Sequence, residues 1–486
     1  MKPITQLTPS RLWEIFNDIC KIPRPSHQEE AITKQVESWA KEYDIECLKD
    51  DVGNLLLKKP ASKGFENKKT VVLQAHLDMV AQKRENSPHD FSKDPILPQI
   101  VDGWVKATDT TLGADNGIGM ASALAVLFDP SVSHGPIEVL LTASEETGMV
   151  GAFGLKPNWL NADIMINTDA EEEGDVYVGC AGGTDVVLQL PISRVAKPED
   201  QEFYELTLQG LKGGHSGIDI HKGLGNANKL LAEVLFSLNN QFAINLASFN
   251  GGSLRNAIPR SASALLSLTK EQKAKIDTFL IDHLNKLKTI YHIKAPNLSL
   301  TLQPLNAINE SIFDKKTTSQ FINLINAHPN GVIRMSDAAQ GVTETSLNLG
   351  VISTQTDHIE IISLVRSLVD AGKYALVNEL KSLAGLVGAQ FTTQSDYPGW
   401  APDMHSDMLS VAKEKYADLF GMELKTMVIH AGLECGLIKK PYPNLDIISI
   451  GPTIKGAHSP DERVDIKSVE KYWQFLISLL KAIPDV

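Results

Sequence analysis

Hydrophobic positions along this chain fall into two textures. Short continuous apolar runs bounded by turn residues occur at 71–74, 137–142 and 163–166, and read as buried strands. Less regular strand pieces at 45–48 and 54–57 flank the turn chemistry of Asp50-Asp51-Val52-Gly53. Between them lie stretches with helical spacing. Thr8 is a cap candidate with Pro9 at the first helical position, and Leu12, Phe16 and Ile19 then share a face. Further helices are predicted at 28–43, 120–127, 403–420 and 466–482, and strands at 426–430 and 447–452. From about residue 202 the pattern instead alternates, as in Tyr204-Glu205-Leu206-Thr207-Leu208 and Leu298-Ser299-Leu300-Thr301-Leu302. Alternation points to antiparallel sheet with helices on one side. The expected fold is α/β: a mixed sheet flanked by helices, built from 1–192 and 396–486, with an α+β domain inserted at 193–395. The insert has a two-part character around residue 290 but no clean internal repeat.

The three buried strands lead into ionisable groups. Val71-Val72-Leu73 runs into His76, with Asp78 two residues beyond. At a strand end, residues i and i+2 point the same way, so one ring nitrogen of His76 can face a cation while Asp78 holds the other ring N–H. Alone, such a pair is more often a surface pair or a hydrogen-bonded core histidine. The second strand ends in adjacent Glu145 and Glu146, and the third in Asp169. Asp115 stands among glycines in Gly113-Ala114-Asp115-Asn116-Gly117-Ile118-Gly119, where the plain reading is a helix cap. The run Glu171-Glu172-Glu173 reads as a solvated face. If 396–486 completes the first sheet, His458 reaches the same edge. Two imidazoles and four carboxylates suit Zn²⁺, Mn²⁺ or Co²⁺, and are too acidic a set for one closed structural zinc. They suit two ions, with one carboxylate left over as general base.

Composition narrows the function. A net charge of −13, from 46 basic and 59 acidic residues, disfavours tracking a phosphate backbone, and no nucleic-acid partner is expected. No apolar run reaches membrane-spanning length and the N-terminus lacks the build of a signal peptide, so no membrane partner and a cytoplasmic location are expected. Cys20, Cys47, Cys180 and Cys435 form no CxxC pair and suggest neither a disulfide framework nor a thiolate zinc site.

The order HLDM at 76–79, GADNGIG at 113–119, SEETG at 144–148, NTD at 167–169 and GAHSPDE at 456–462 resembles the co-catalytic zinc peptidase family of aminoacylases, carboxypeptidase G, carnosinases and peptidase T. The resemblance covers essentially the whole chain and implies a zinc-peptidase-like catalytic domain with an inserted lid. It implies two divalent ions, zinc before manganese or cobalt, with Asp115 bridging, His76 and Asp169 on one ion, and Glu146 and His458 on the other. Glu145 is then the general base, Asp78 the carboxylate behind His76, and the Asp115–Asn116 peptide cis. The GGHSG motif at 213–217 and HAGLECG at 430–436 point to the family's Xaa-His dipeptidases. An N-acyl-amino-acid deacylase or tripeptidase is the alternative, and a non-catalytic metal-binding protein a remoter one. By the same resemblance His215 serves the active site of the other subunit of a homodimer, and Asn256 and Arg366 grip the carboxylate of a dipeptide substrate. The family often places an arginine about a dozen residues beyond its Asn-x-Ile-Pro motif; 263–268 contains none, which favours Arg366. His405, His430 and Glu434 are left between lining a pocket for a histidine side chain and simple packing.

Overall fold

The computed structural model describes residues 3–305 and 310–486. Two compact units form: residues up to Gly179 with Pro402–Val428 and Leu433–Val486, and Cys180–Ala401 with Ile429–Gly432.

The first unit is a helix-flanked mixed sheet. In spatial order its strands are Glu46–Lys49, Leu55–Lys59, Ile137–Thr142, Val71–His76, Ile164–Asn167, Asp446–Ser449, Asp175–Cys180 and Lys425–Ile429. Ile137–Thr142, Val71–His76, Ile164–Asn167 and Asp446–Ser449 run parallel, which is why they read as unbroken apolar runs: both faces are covered. Their register sets Gln74 opposite Asn167 and His76 opposite Thr142, so the C-terminal ends finish level. Helices Ser10–Cys20, Ala114–Phe128, Asp407–Phe420 and Ile466–Ala482 contribute Leu12, Phe16, Ile118, Leu124, Met408, Tyr472 and Leu476 to one core. The first helix starts one residue later than predicted, with Pro9 at the cap position. Trp13, Phe16 and Ile19 are fully buried; each such side chain contributes about 1.5–3 kcal/mol of transfer free energy.

The second unit is built on a sheet ordered Ser299–Leu305, Glu202–Gln209, Ala262–Leu268, Asn245–Gly251, Thr343–Thr354, His358–Ser367, Gly182–Pro191 and Gln390–Tyr397, with Gly331–Met335 paired to Thr343–Thr354. Helices Ala227–Phe242, Lys270–Tyr291, Lys315–Ala327 and Asp370–Val387 bury leucine- and isoleucine-rich faces with it. Lys270–Tyr291 begins with a capping box, Thr269 Oγ1 accepting from Gln272 N and Gln272 Oε1 from Thr269 N. The compact units divide at 179/180 and 401/402, where the sequence reading placed 192/193 and 395/396. The reason is Gly182–Pro191, which pairs along its whole length with His358–Ser367 and so belongs to the second sheet.

Candidate active site

Level strand ends put the predicted cluster together in the first unit. Asp115 is its centre: Oδ1 lies 3.2 Å from His76 Nε2 and Oδ2 lies 3.0 Å from His458 Nε2. His458 Nε2 is also 3.0 Å from Glu146 Oε2, and His76 Nε2 is 3.6 Å from Asp169 Oδ1. Among the described residues three groups of donor atoms lie within 4.8 Å of one another: His76, Asp115 and Asp169; Asp115, Glu146 and His458; and His76, Glu145 and Glu146. Asp115 joins the first two. It is not the helix cap that its sequence position suggested: its carboxylate oxygens turn to the two imidazoles. The Asp115–Asn116 peptide is cis.

Glycine spacing around Asp115 has a steric cause. A Cβ on Gly113, whose φ is +70°, would stand 2.7 Å from Arg24 Nη2, and one on Gly119 would stand 2.6 Å from the Thr168 carbonyl. Two buried charges then lock the loop. Glu462 accepts from four successive amides, Leu112 N and Gly113 N at Oε2 (2.7 and 2.9 Å) and Ala114 N and Asp115 N at Oε1 (2.7 and 3.2 Å). Arg24 donates to the carbonyls of Leu77, Asp78 and Gly113, tying the His76 strand end to the same loop. Neither residue stands out in the sequence. The one hint for Glu462 is its place in the GAHSPDE motif; for Arg24 there is none.

Asp78 does more than its spacing promised. Its Oδ1 accepts from His76 Nδ1 at 3.2 Å and from Glu145 N at 3.0 Å; its Oδ2 accepts from Ser26 Oγ at 2.7 Å and from Glu146 N at 3.2 Å. It therefore leaves Nε2 of His76 free and also fixes the loop that carries both glutamates. Burial would raise the Asp78 carboxyl, but the His76 ring, Ser26 and the Glu145 amide hold it at about 2.

Charge is concentrated to an extent the protein alone does not balance. Burial lowers the pKa of His76, yet Asp169, Asp115 and Asp78 carry it well above the ordinary range. Hydrogen bonds to Asp115 and Glu146 raise His458 to about 11. Glu145 is raised by burial and, against the pull of His76, by the charges of Glu434, Glu146 and Asp115. Asp169 is raised by burial and by Asp115 and Glu145, again against His76. Glu146 Oε1 is buried with no partner. Hard oxygens and imidazole nitrogens at this spacing fit divalent cations, which would supply the missing positive charge.

The remaining candidates belong elsewhere. In the second unit, His215 ends a two-residue strand paired with Ala257–Ile258; its Nδ1 accepts from Gly217 N and Ile218 N, which leaves Nε2 protonated. Burial and Arg366 lower its pKa, so the ring is neutral. The Asn256 carbonyl accepts from Ser216 N at 2.8 Å, with the side chain exposed. Arg366 is buried, its Nε 3.5 Å from Ser216 Oγ and its Nη1 donating to Tyr397 Oη at 3.0 Å. The Asn256 carbonyl and the Arg366 side chain thus both contact Ser216, the residue after His215. His430 joins this unit through a 2.7 Å contact with Ser346 Oγ, its pKa lowered to about 3 by burial and by Arg366. His405 is exposed on the loop before Asp407–Phe420, and Glu434 is buried in the first unit. The Glu171–Glu173 run is less solvated than its composition suggests, since Tyr416 Oη donates to Glu173 at 2.5 Å.

Known proteins resemble this chain in sequence and fold. Residues 72–482 match the family model described as Peptidase family M20/M25/M40. Over 484 residues the chain is 53% identical to the cytosol non-specific dipeptidase of Escherichia coli (strain K12), with 100% of both chains covered. The crystal structure of aminoacylhistidine dipeptidase from Vibrio alginolyticus matches with a TM-score of 0.94 at 48% identity, over 100% of this chain and 99% of that one. Aminopeptidase PepT from Bacillus cereus ATCC 10987 shares the fold at 17% identity, with a TM-score of 0.57 over 98% of this chain and 99% of that one. Among the described residues no helix is long and apolar enough to cross a membrane.

Proposed function

Because the chain belongs to peptidase family M20/M25/M40, we propose that it is a metal-dependent dipeptidase that cleaves Xaa-His and related dipeptides at the Asp115-centred cluster. Both full-length relatives are named dipeptidases, one cytosol non-specific dipeptidase and one aminoacylhistidine dipeptidase. The observation that carries the reading is Asp115, one carboxylate oxygen toward each imidazole, with a complete donor set on either side.

His76, Asp169, Glu146 and His458 would hold two divalent cations, with Asp115 shared. When bound, such a pair polarises a peptide carbonyl and brings the pKa of a water close to neutrality. The chain's own groups do the rest. Asp78 Oδ1 keeps the proton of His76 on Nδ1, presenting Nε2 to the cluster. A Glu145 carboxylate oxygen takes the proton of the attacking water and returns it to the leaving amine. His215, neutral with Nε2–H available, is suited to donate to an oxyanion, and the fork of Arg366 to bind a terminal carboxylate. We assign zinc as the first choice of ion from the mixed imidazole and carboxylate set, a homodimer from the role that this assignment gives His215, and a cytoplasmic location from the name of the E. coli relative.

The test is hydrolysis of Xaa-His dipeptides, led by β-alanyl-histidine, beside other dipeptides, acetylated amino acids and tripeptides, on metal-stripped protein before and after Zn²⁺, Mn²⁺ or Co²⁺. Metal-restored cleavage of dipeptides is expected. Restoration confined to acylated amino acids or tripeptides would overturn the substrate class, and no turnover with any ion would overturn the enzyme reading.

A further inference from the structure

One buried charge in the first unit has no part in the chemistry above. Glu434 is 2% exposed. Its Oε2 accepts from Gln74 Nε2 at 2.6 Å and from Thr142 Oγ1 at 2.7 Å, while Oε1 is buried with no partner. Among the described residues no lysine or arginine is paired with it.

Its two partners locate it. Gln74 precedes His76 by two residues and so points to the same face of the strand, and Thr142 sits in register with His76 and three residues before Glu145. Glu434 thus lies on the same face of the sheet as His76, at the strand ends that carry the cluster. From it a line of side chains crosses the sheet: Gln74 Oε1 accepts from Asn167 Nδ2 at 2.5 Å, and Asn167 Oδ1 accepts from Ser449 Oγ at 2.5 Å and from Asp169 N at 3.2 Å. Two neutral donors on one oxygen do not compensate a buried carboxylate: burial raises its carboxyl to about 7, Asp78 shares its sign, and the opposite charge acting on it is that of the His76 ring, which Asp169, Asp115 and Asp78 also draw on. A fold that keeps such a group with only a shared imidazole opposite it is matched to cations arriving above it.

We propose that Glu434 is a negative charge built under the cluster to raise its affinity for divalent cations, touching neither cation nor substrate. The proposal rests on the two-cation reading and adds a residue that lies outside the donor sets. It also separates cleanly from a structural role. Glu434→Gln leaves an amide oxygen to accept from Gln74 and Thr142 and places its NH₂ where Oε1 has no partner, so it removes the charge and keeps both bonds. Charge removal should weaken binding of cations while relieving repulsion in the metal-free protein; loss of a structural hydrogen bond would weaken both.

The experiment is chelator competition for Zn²⁺, and separately Mn²⁺, on metal-stripped wild type and E434Q, with the Tm of each metal-free protein. The expected result is a Kd roughly 10–100-fold higher in E434Q, the range for groups that support metal ligands, with a metal-free Tm equal to or above wild type. Thr142→Val, which removes one donor and keeps the charge, should bind Zn²⁺ within about threefold of wild type. An unchanged Kd in E434Q overturns the proposal. So does a lowered metal-free Tm or a failure to fold, because the charge is then needed by the fold, and so does an equal loss in T142V. Wild type that binds neither ion overturns the two-cation reading itself, and is thereby distinguished from the other outcomes.

Discussion

Asp78→Asn is the sharpest test of how the cluster is held. The carboxylate accepts four hydrogen bonds, from His76 Nδ1, Glu145 N, Ser26 Oγ and Glu146 N. An asparagine keeps one oxygen. Its best orientation leaves that oxygen to His76 and Glu145 and turns the NH₂ toward Ser26, whose hydroxyl can rotate to accept, so the Glu146 amide alone is left facing a donor. A buried orphan amide costs about 1–3 kcal/mol. A second route gives the same scale: a folded pKa of about 2 against an ordinary 3.8 favours the ionised form by about 2 kcal/mol at neutral pH. Because the folded pKa is depressed, this stability is fully present above pH 4 and fades as the pH falls toward 2; at pH 3 about half remains. Urea unfolding of metal-stripped wild type and D78N at pH 7 and pH 3 should therefore give a difference of about 2–3 kcal/mol that shrinks at the lower pH. A difference below about 0.5 kcal/mol at pH 7, or one that grows on acidification, would refute the reasoning.

Three further outcomes are expected. Glu145→Gln should lower kcat by roughly 10²–10⁴-fold while the ion content measured by atomic emission stays that of wild type; a variant turning over near the wild-type rate removes Glu145 from the base role. Since hydrogen bonds to Asp115 and Glu146 raise His458 to about 11, metal-free protein carries a proton on that ring at pH 7, and cation loading should release at least one. Titration calorimetry in buffers of different ionisation enthalpy reads that release, and zero release contradicts the placement of the His458 ring. Arg366→Ala should raise KM for dipeptides with a free carboxyl terminus and leave amidated analogues nearly unchanged; equal losses on both count against the carboxylate contact.

What could be read from the sequence was whatever the backbone expresses locally. An apolar run that stops at an ionisable residue marks a buried parallel strand and its functional end, and His76, Glu145, Glu146 and Asp169 all declare themselves that way. Local pattern left Asp115 as a helix cap, since a carboxylate among glycines before a helix has that signature; only the family resemblance set it between two ions, and its contacts with His76 and His458 put it at the centre of the cluster. The parts played by Glu462 and Arg24 were not legible, and Glu434 stood out only as lining a pocket or packing. Each acts on groups far away in the chain, Glu462 on amides 347–350 residues earlier and Glu434 on Gln74 and Thr142, 360 and 292 residues earlier. No local pattern separates such a glutamate from a solvated one. The second unit's boundary was missed for a related reason: Gly182–Pro191 continues the apolar texture of the preceding strands, and only its long-range partner, His358–Ser367, assigns it.

The long-range bonds also explain how five separate segments act as one site. Each histidine motif carries a candidate ligand and, a few residues on, a clamp for a candidate ligand of another motif. His76 comes with Asp78, which holds the amides of Glu145 and Glu146; His458 comes with Glu462, which holds the loop that presents Asp115. Arg24 closes the ring by joining the Asp78 and Gly113 carbonyls. A clamp lost from one motif should therefore be felt at a donor set that the motif does not itself supply. Asp78→Asn frees the amide of Glu146, a donor grouped with Asp115 and His458 rather than with His76. In that variant both cations should bind more weakly, roughly 10–100-fold each. Weakening confined to one of the two sites would mean that Asp78 acts through the His76 ring alone, and that the interlocking seen in the hydrogen bonds has no energetic counterpart.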